Sequence, residues 1–301
     1  MNLRSLIVTK LSKTFPFSIQ GDAVISNDPP RYAVSCIINF YGRLQLMENI
    51  LWCLSEQTID KNAFEVILVE DRGGTEGGRK LAERFSEKLN IRYLPLPERF
   101  GIMGFSRNYG LERSHGTYVL FLDDDTVILQ RDFLQTLIDE FERSGADAVI
   151  PRGMASFCLY PSRYDYHDSY FPTSRCTAYR REVLRELGGF VSSMIGQEDV
   201  EFTFRFIAAG KRYHYSDRLE YLHPPLILES SGKARAVGVS FAGLRDRYPL
   251  LVWIMLLLNG LRFLPMFLFP VKEEWKMMGR FSMGFLMGIL SWFRGEGASY
   301  R

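Results

Sequence analysis

The sequence is poor in cysteine: Cys36, Cys53, Cys158 and Cys176 are the four among 301 residues, and they are widely scattered. Their spacing matches no metal-binding or redox motif, which excludes a cysteine-based metal module. We therefore expect them to be small buried apolar residues in a reducing compartment.

A long apolar run is also missing from the N-terminus. The segment "MNLRSLIVTKLSKTFPF" contains a run of only three apolar residues, fewer than the core of a secretory signal requires. We therefore expect the bulk of the chain to stay in the cytoplasm. Residues 1–30 are interpreted as a short extension that ends at the paired prolines of "DPP".

The chain carries little net charge, but that charge is unevenly distributed. The whole sequence has a formal charge of +2, whereas residues 233–301 hold ten Lys or Arg against four Asp or Glu. This region therefore carries +6 and the rest carries −4. Because the basic region is also apolar, it favours a membrane surface as a partner. Elsewhere the sequence contains no basic, aromatic-rich stretch that would indicate a nucleic-acid partner.

What the sequence does contain is a regular alternation of strand and helix patterns. The predicted strands are 32–40, 64–71, 91–96 and the apolar half of "YVLFLDDDTVIL" at 118–129. The predicted helices between them are 43–57, 77–89 and 104–114. This alternation predicts an α/β fold with a parallel sheet that helices cover on both faces. A further strand is predicted at 211–222.

Three consecutive carboxylates, Asp123, Asp124 and Asp125, end the last of the first four strands. Polar residues also follow the strands ending at "NFYGR" and "EDRGG", and ligands of parallel sheets bind at such carboxyl ends. Neighbouring carboxylates repel by about 4 kcal/mol per close pair at a protein-like dielectric. Divalent Mg²⁺ or Mn²⁺ would relieve this repulsion and leave positions for substrate phosphates.

The same letters allow other interpretations. "FLDDDTV" also fits the opening motif of haloacid dehalogenase-like phosphatases, in which the first aspartate, here Asp123, is the nucleophile. That motif normally belongs to the first strand of its domain. A plain acidic turn is a second alternative, and a non-catalytic nucleotide- or sugar-binding protein is a third.

Several motifs, taken in order, resemble family 2 glycosyltransferases of the GT-A fold over roughly residues 32–225. The motifs are "VSCIINFYGR" (34–43), "VILVEDRGGTEGG" (66–78), "GIMGFSRNYGLERSHGTYVLFLDDD" (101–125) and "GQEDVEFTFRFIAAG" (196–210). The resemblance implies a Rossmann-like, mixed and mostly parallel sheet with helices on both faces, followed here by C-terminal apolar helices. "EDRGG" departs from the family, which usually has Gly-Ser after the acidic pair.

The resemblance implies an inverting, metal-dependent hexosyltransferase that uses a UDP-, GDP- or dTDP-sugar. It places the catalytic base at Asp199, with Glu198 as the second choice, and Mn²⁺ or Mg²⁺ on Asp125, Asp123 and His223. Nucleotide-sugar contacts are implied for Asn39, Tyr41, Arg43, Glu70, Asp71, Arg107, Asn108, Asp123 and Asp124.

The resemblance also implies particular roles, with which the chemistry of these groups agrees. Asp71 would accept hydrogen bonds from the base, and the planar fork of Arg107 would pair with a phosphate. First-turn acids also stabilise a helix through its dipole, and we expect Glu201 to lie on the solvated face. By the same resemblance, the Tyr- and Arg-rich segment 162–184 faces the acceptor.

We divide the chain into an extension (1–30), a catalytic domain (31–232) and a basic, apolar helical region (233–301). In the last region, 249–270 is nearly long enough to span a bilayer, and 277–293 has one apolar stripe. These helices would lie in the cytoplasmic membrane interface, span it as a hairpin, or pack on the protein. An enzyme held there would glycosylate a lipid-linked or envelope-polysaccharide acceptor.

Overall fold

The computed structural model describes residues 3–155, 175–224, 231–268 and 273–297, which contain one seven-stranded sheet. The strands are β1 (Tyr32–Phe40), β2 (Phe64–Glu70), β3 (Ile91–Pro95), β4 (Gly116–Asp123), β5 (Ala148–Ala155), β6 (Cys176–Arg180) and β7 (Tyr213–His223). The helices are α1 (Leu3–Thr14), α2 (Leu44–Ser55), α3 (Glu76–Phe85), α4 (Met103–Leu111), α5 (Phe133–Ser144), α6 (Arg181–Glu186), α7 (Glu198–Ala208), α8 (Gly232–Ala242), α9 (Leu250–Leu261), α10 (Leu264–Leu268) and α11 (Glu273–Phe293).

The strand order is β3-β2-β1-β4-β6-β5-β7, and β6 runs against the others. β1 is parallel to β2 and β4, β2 is parallel to β3, and β5 is parallel to β7. Because β6 is antiparallel to both β4 and β5, β7 points the same way as β4. The carboxyl ends of six strands therefore share one edge.

Successive side chains of β1 pack against opposite layers of helices. Val34, Cys36 and Ile38 join one apolar cluster with α2, α3 and α5, whereas Ile37 joins another with α4, α6 and α7. Burial on both faces explains why the strands read as almost continuous apolar runs. The predicted mixed, mostly parallel sheet with helices on both faces is confirmed.

Two strands were absent from the sequence prediction. β5 and β6 follow no clear apolar alternation, and β6 lies within the segment 162–184 that was interpreted as facing the acceptor. Residues 162–174 of that segment lie outside the described residues. Of the cysteines, Cys36 and Cys176 are buried and Cys53 is half-buried, all as free thiols, and Cys158 lies outside the described residues.

A third apolar cluster joins the two ends of the chain to helix α7. Val8 of α1, Phe204 of α7, Phe241 of α8, Trp253 of α9 and Phe285 of α11 are all buried in it. The boundaries predicted at residues 30 and 232 therefore do not separate independent hydrophobic cores. Apolar packing of this kind is the main stabilising contribution to such a unit.

Helices α8 and α11 approach so closely that their backbones touch. A Cβ atom on Gly238 would lie 2.2 Å from the carbonyl oxygen of Phe285, and one on Gly288 would lie 2.1 Å from that of Arg235. Only glycine leaves room for such an approach. The C-terminal helix is thus held tightly on the protein along one side.

A buried carboxylate connects helix α5 to β7, the strand at one edge of the sheet. Glu140 is fully buried and accepts hydrogen bonds from Arg143, Arg218 at 3.1 Å and His214 at 2.6 Å. Burial alone would raise the pKa of Glu140, but hydrogen bonds from Arg143, His214 and Ser216 lower it from 4.5 to about 2. The folded state therefore favours the ionised form.

We expect Glu140→Gln to lower the free energy of unfolding by about 1–3 kcal/mol at neutral pH, because it removes a charge-assisted hydrogen-bond acceptor. Since the folded pKa is depressed, this contribution is present above pH 4.5 and is lost as the pH falls through 2. Urea unfolding at several pH values measures it. Glu142→Gln, an exposed neighbour on α5, is the control; an equal loss in both variants would contradict the prediction.

Candidate active site

Two strand ends bring a histidine to the acidic cluster. Asp123 ends β4, Asp125 follows it in the next loop, and His223 ends β7 on the same edge of the sheet. His223 Nε2 lies 3.0 Å from Asp125 Oδ1 and 3.8 Å from Asp123 Oδ2. One ligand atom from each of the three residues lies within 4.8 Å of the others. The structure thus brings together the three residues predicted to hold a metal.

β7 reaches this loop although two strands separate it from β4. Between Ile150 and Arg152 the pairing becomes irregular, because β5 advances two residues while β7 advances from Tyr215 to Glu220. Val127 then pairs directly with Leu222 through two reciprocal backbone hydrogen bonds of 2.8 Å. This bridge carries the next residue, His223, to the carboxylates.

The donor set suits a hard divalent cation. Adjacent ligands of an octahedral ion with bonds of about 2.1 Å lie about 3.0 Å apart, which is close to the His223–Asp125 separation of 3.0 Å. His223 Nδ1 lies 2.6 Å from the carbonyl oxygen of Pro224, so Nδ1 carries its proton and Nε2 is left to face the aspartates. Asp125, Asp123 and His223 therefore fit Mg²⁺ or Mn²⁺.

The electrostatics of the cluster reflect competing burial and charge. Burial alone would lower the pKa of His223, but its hydrogen bonds with Asp123 and Asp125 raise it to about 9. Burial would raise the pKa of Asp123, yet the hydrogen bond with His223 and the charge of Arg107 hold it well below its usual range. For Asp124, burial and the adjacent carboxylates outweigh Arg43 and raise the pKa to about 6.

Arg43 compensates part of this negative charge. It precedes α2 in a left-handed conformation with φ 47°, and its Nη1 lies 3.1 Å from both Asp124 Oδ1 and Asp125 Oδ2. Sequence reasoning implied a nucleotide-sugar contact for Arg43. In the structure the guanidinium contacts the acidic cluster, and its contact with a nucleotide-sugar stays a prediction.

Arg107 links the acidic cluster to the segment that contains the predicted base. Its Nη2 is 2.8 Å from Asp123 Oδ1 and its Nε is 2.5 Å from Glu198 Oε1, and the side chain is almost fully buried. In the structure the fork of Arg107 contacts these two carboxylates, and its pairing with a phosphate stays a prediction. The third guanidinium nitrogen of Arg107, Nη1, is buried and has no hydrogen-bond partner among the described residues.

Glu198 and Asp199 begin α7 beside this arginine. Glu198 is buried, and burial raises its pKa to about 7 although Arg107 opposes the shift. Asp199 is 9% exposed and its Oδ1 accepts a hydrogen bond from the backbone N–H of Val200. Arg107 therefore binds Glu198 directly, and the charge of Asp199 also acts on the same guanidinium.

The expectation that Glu201 lies on the solvated face is wrong. Glu201 is fully buried and pairs with Arg205, with Nε–Oε1 at 2.8 Å, and with the hydroxyl of Tyr248. Arg205 also donates to the carbonyl oxygens of Ile19 and Leu187. The extension and the segment before α9 cover this face of α7, which the helix dipole argument did not anticipate.

The ends of β1 and β2 form the neighbouring part of the edge. Asp71 accepts hydrogen bonds from the N–H groups of Arg72 and Gly101, both at 2.8 Å. The ring of Tyr41 is half exposed, and the guanidinium of Arg72 lies 4.4 Å above it. Arg72 is the extra charged residue of "EDRGG", and it adopts φ 57°. The departure from the family motif thus produces a cation–π pair at the rim.

Three other residues that were predicted to contact the nucleotide-sugar form hydrogen bonds mainly with the protein itself. Glu70 is fully buried and bonds to the backbone N–H of Thr75 at 2.8 Å and to the hydroxyl of Tyr93, so it orders the turn after β2 and is not exposed to a nucleotide. Asn108 uses its amide to hold Phe190 and Ser192. Asn39 donates to Ser106 at 2.7 Å, while its Oδ1 is buried without a partner among the described residues.

We expect Arg107→Ala to lower the free energy of unfolding by about 3–5 kcal/mol, because it leaves the buried Glu198 and the partly exposed Asp123 without a shared counterion. Thermal or urea unfolding measures the loss. Arg131→Ala, which removes an exposed ion pair with Glu56, is the control and should change stability by less than about 1 kcal/mol. A loss of that small size in Arg107→Ala would show that the two contacts contribute little.

A mixed α/β sheet of this order, with acidic residues at its carboxyl edge, is the architecture of the GT-A glycosyltransferases. The family model described as "Glycosyl transferase family 2" matches residues 35–188, slightly more than half of the chain. The chain belongs to glycosyl transferase family 2. Asp123 ends the fourth strand of this domain, whereas the phosphatase alternative requires the first.

Curated relatives agree with this assignment. Glycosyltransferase AglE of Haloferax volcanii is 27% identical over 205 residues, which cover 64% of this chain and 66% of AglE. Poly(ribitol-phosphate) beta-N-acetylglucosaminyltransferase TarS of Staphylococcus aureus is 32% identical over 94 residues, 31% of this chain and 16% of TarS. Each match therefore spans less than two thirds of the relative.

Solved structures share the fold. Mannosyltransferase PcManGT from Pyrobaculum calidifontis, in complex with GDP-Man and Mn²⁺, superposes with a TM-score of 0.60 at 15% identity, covering 96% of this chain and 94% of that one. S. aureus TarS 1-349 in complex with UDP-GlcNAc gives 0.55 at 19% identity, covering 89% and 93%. At these identities the likeness demonstrates the fold alone.

Proposed function

We propose that this chain is an inverting, metal-dependent glycosyltransferase that moves a hexose from a nucleotide-sugar to an acceptor hydroxyl. The observation that carries the proposal is the meeting of Asp123, Asp125 and His223 at the carboxyl edge of a family 2 domain. The Mn²⁺ and nucleotide-sugars bound by PcManGT and TarS 1-349 are consistent with it.

The proposed division of labour follows from the geometry. Asp125, Asp123 and His223 hold Mn²⁺ or Mg²⁺, which when bound neutralises charge on the departing nucleoside diphosphate. Asp199 accepts the proton of the acceptor hydroxyl as that hydroxyl attacks the anomeric carbon from the opposite face. Direct displacement of this kind inverts the anomeric centre. Arg107 holds Asp123 and Glu198 in fixed positions on either side of the reaction.

The donor nucleotide would lie over the ends of β1 and β2. Tyr41 presents a half-exposed ring there, and Asn39 Oδ1 is a buried acceptor without a partner among the described residues. Buried polar atoms normally have hydrogen-bond partners, so an atom of this kind at a strand end supports a ligand position. Asp71 stays the proposed partner of the base, because its carboxylate oxygens can each accept a second hydrogen bond.

Thermal unfolding in the presence of nucleotides tests the donor proposal. Purified protein is melted with UDP, GDP or dTDP, each with and without Mn²⁺, since a ligand that binds only the folded state raises stability by mass action. We expect one nucleotide to raise the Tm in a Mn²⁺-dependent manner. The matching sugar nucleotides are then tested for transfer, with the anomeric configuration of the product read by NMR. A retained configuration, or no shift with any nucleotide, would contradict the proposal.

We propose a lipid-linked or envelope glycan as the acceptor, presented at the cytoplasmic face of a membrane. The basic and apolar character of residues 233–301 supports this location. One relative, TarS, is a poly(ribitol-phosphate) beta-N-acetylglucosaminyltransferase, which is consistent with a polymeric acceptor. The same transfer assay is run with extracted lipid-linked acceptors and with soluble sugars. It shows whether the acceptor must be linked to a lipid.

A further inference from the structure

Helix α9 has one buried face and one exposed apolar face. Val252, Trp253 and Leu256 pack into the cluster shared with α7 and α8. Leu250 and Leu258, eight residues apart and therefore on one side of the helix, are 50% and 59% exposed. Side chains of this size are normally buried, and a row of them on one helix face marks an interaction surface.

α10 and α11 extend this apolar surface. α11 runs back along α9, since Gly260 of α9 contacts the ring of Phe285 and Trp253 contacts the ring of Phe293. Phe267, Met287 and Phe293 are 42%, 46% and 64% exposed. We call the six residues Leu250, Ile254, Leu258, Phe267, Met287 and Phe293 the hairpin face.

Unpaired cations accompany the hairpin face. Arg280, Met287 and Arg294 are spaced by seven residues, so they lie on one side of α11. Arg280 and Arg294 are exposed and have no carboxylate partner in the part of the chain that the structure describes. Gly279, next to Arg280, packs against the backbone of Phe267, so α10 and α11 meet close to this position. Apolar residues flanked by free cations match an anionic lipid surface.

The geometry favours lying on a bilayer over crossing it. Among the described residues, Leu250–Leu268 is long and apolar enough to span a bilayer by length and composition, and its low burial of 28% suits a spanning helix as well as an interfacial one. It is interrupted between α9 and α10, and the 12 residues of α9 reach about 18 Å against a hydrocarbon thickness of about 30 Å. Crossing would also withdraw Val252, Trp253 and Leu256 from the core.

We propose that the hairpin face docks this protein on the surface of an anionic lipid bilayer, with α9, α10 and α11 lying in the interface. A second copy of the chain is a poorer occupant, because a two-fold contact through this face would bring Arg280 and Arg294 of both copies into one interface to which the hairpin face contributes no carboxylate. The proposal deepens the suggested membrane location but does not depend on glycosyl transfer.

Co-sedimentation of the full chain with vesicles tests the proposal. Two lipid compositions are used: phosphatidylcholine alone, and phosphatidylcholine with about 30% phosphatidylglycerol. No nucleotide or acceptor is added, so a failure here is separate from a failure of the transferase assignment. We expect stronger binding to the anionic vesicles and a decline with increasing salt.

Two double variants separate the apolar contribution to vesicle binding from the electrostatic contribution. Ile254→Asp with Leu258→Asp should weaken partitioning to both vesicle types at least about tenfold, whereas Val24→Asp, at an exposed apolar position of the extension, should not. Arg280→Gln with Arg294→Gln should weaken binding to anionic vesicles by roughly 30-fold and leave neutral vesicles unaffected. The control for this arginine double variant is Lys80→Gln with Arg84→Gln on α3.

The variants at Arg280 and Arg294 are at exposed positions, so they keep the test valid even if the aspartate pair fails to fold. Three outcomes would overturn the proposal. The protein stays in the supernatant with anionic vesicles; it sediments equally without lipid, which indicates self-association; or it resists alkaline carbonate extraction from vesicles, which indicates a spanning helix.

Discussion

Asp199→Asn is expected to lower kcat by about 10³-fold while donor binding is retained. A carboxylate that accepts the acceptor proton contributes roughly 10²–10⁴-fold, and the amide cannot take that proton. The substitution is nearly isosteric and keeps an oxygen for the N–H of Val200, so α7 should begin as before. Transfer rates together with the nucleotide-induced shift in Tm measure the two effects separately.

Glu198→Gln is the matched comparison, because it makes the same chemical change one residue earlier. Glu198 is held by Arg107, so its loss should lower stability by about 1–3 kcal/mol and leave kcat much less affected than Asp199→Asn. The reverse pattern would transfer the base role to Glu198. A wild-type protein that binds nucleotide but shows no transfer with any donor would instead support the non-catalytic alternative.

Asp125→Ala is expected to abolish the Mn²⁺-dependent part of nucleotide stabilisation and to lower transfer activity by at least about 100-fold. Asp125 supplies the carboxylate nearest His223, at 3.0 Å. At a nucleotide concentration 100 times its Kd, the wild type should gain about 2.7 kcal/mol of stability when Mn²⁺ is present. The variant should gain little more with Mn²⁺ than without it.

Chelation provides an independent measurement of the same site. We expect EDTA to remove wild-type transfer activity and Mn²⁺ to restore it, whereas Asp125→Ala should respond to neither. Glu83→Ala, at an exposed position of α3, is the control for the loss of an acidic residue and should behave as wild type. Full wild-type activity in EDTA, or a normal Mn²⁺ response in Asp125→Ala, would exclude the metal role.

Much of the parallel half of the sheet is predictable from the sequence. β1 was expected at 32–40 and lies at Tyr32–Phe40, and the predicted β2 and β3 each extend only one residue beyond the observed strands. Strands buried on both faces leave an apolar run that polar residues end abruptly, so both the strand and its functional edge are visible. β5 and β6 lack this signature, since β5 contains a proline and an arginine and β6 is five residues long.

The partners of the site residues are harder to predict than the residues themselves. The letters "SRN" and "QED" do not indicate that Arg107 and Glu198 face each other across the domain, because that contact joins elements 91 residues apart. The burial of Glu201 depends on Tyr248 and the extension, which lie far away in sequence. Charged residues in long-range contacts carry no periodic signal, so only the three-dimensional structure reveals which are paired.

The bridge between Val127 and Leu222 has a consequence for how the protein matures on the ribosome. A chain that stops before β7 contains Asp123 and Asp125 but lacks both Leu222, the bridge partner of Val127, and His223, which lies 98 positions after Asp125. We therefore expect the candidate cation pocket to be completed only after β7 has been synthesised and has paired with β5.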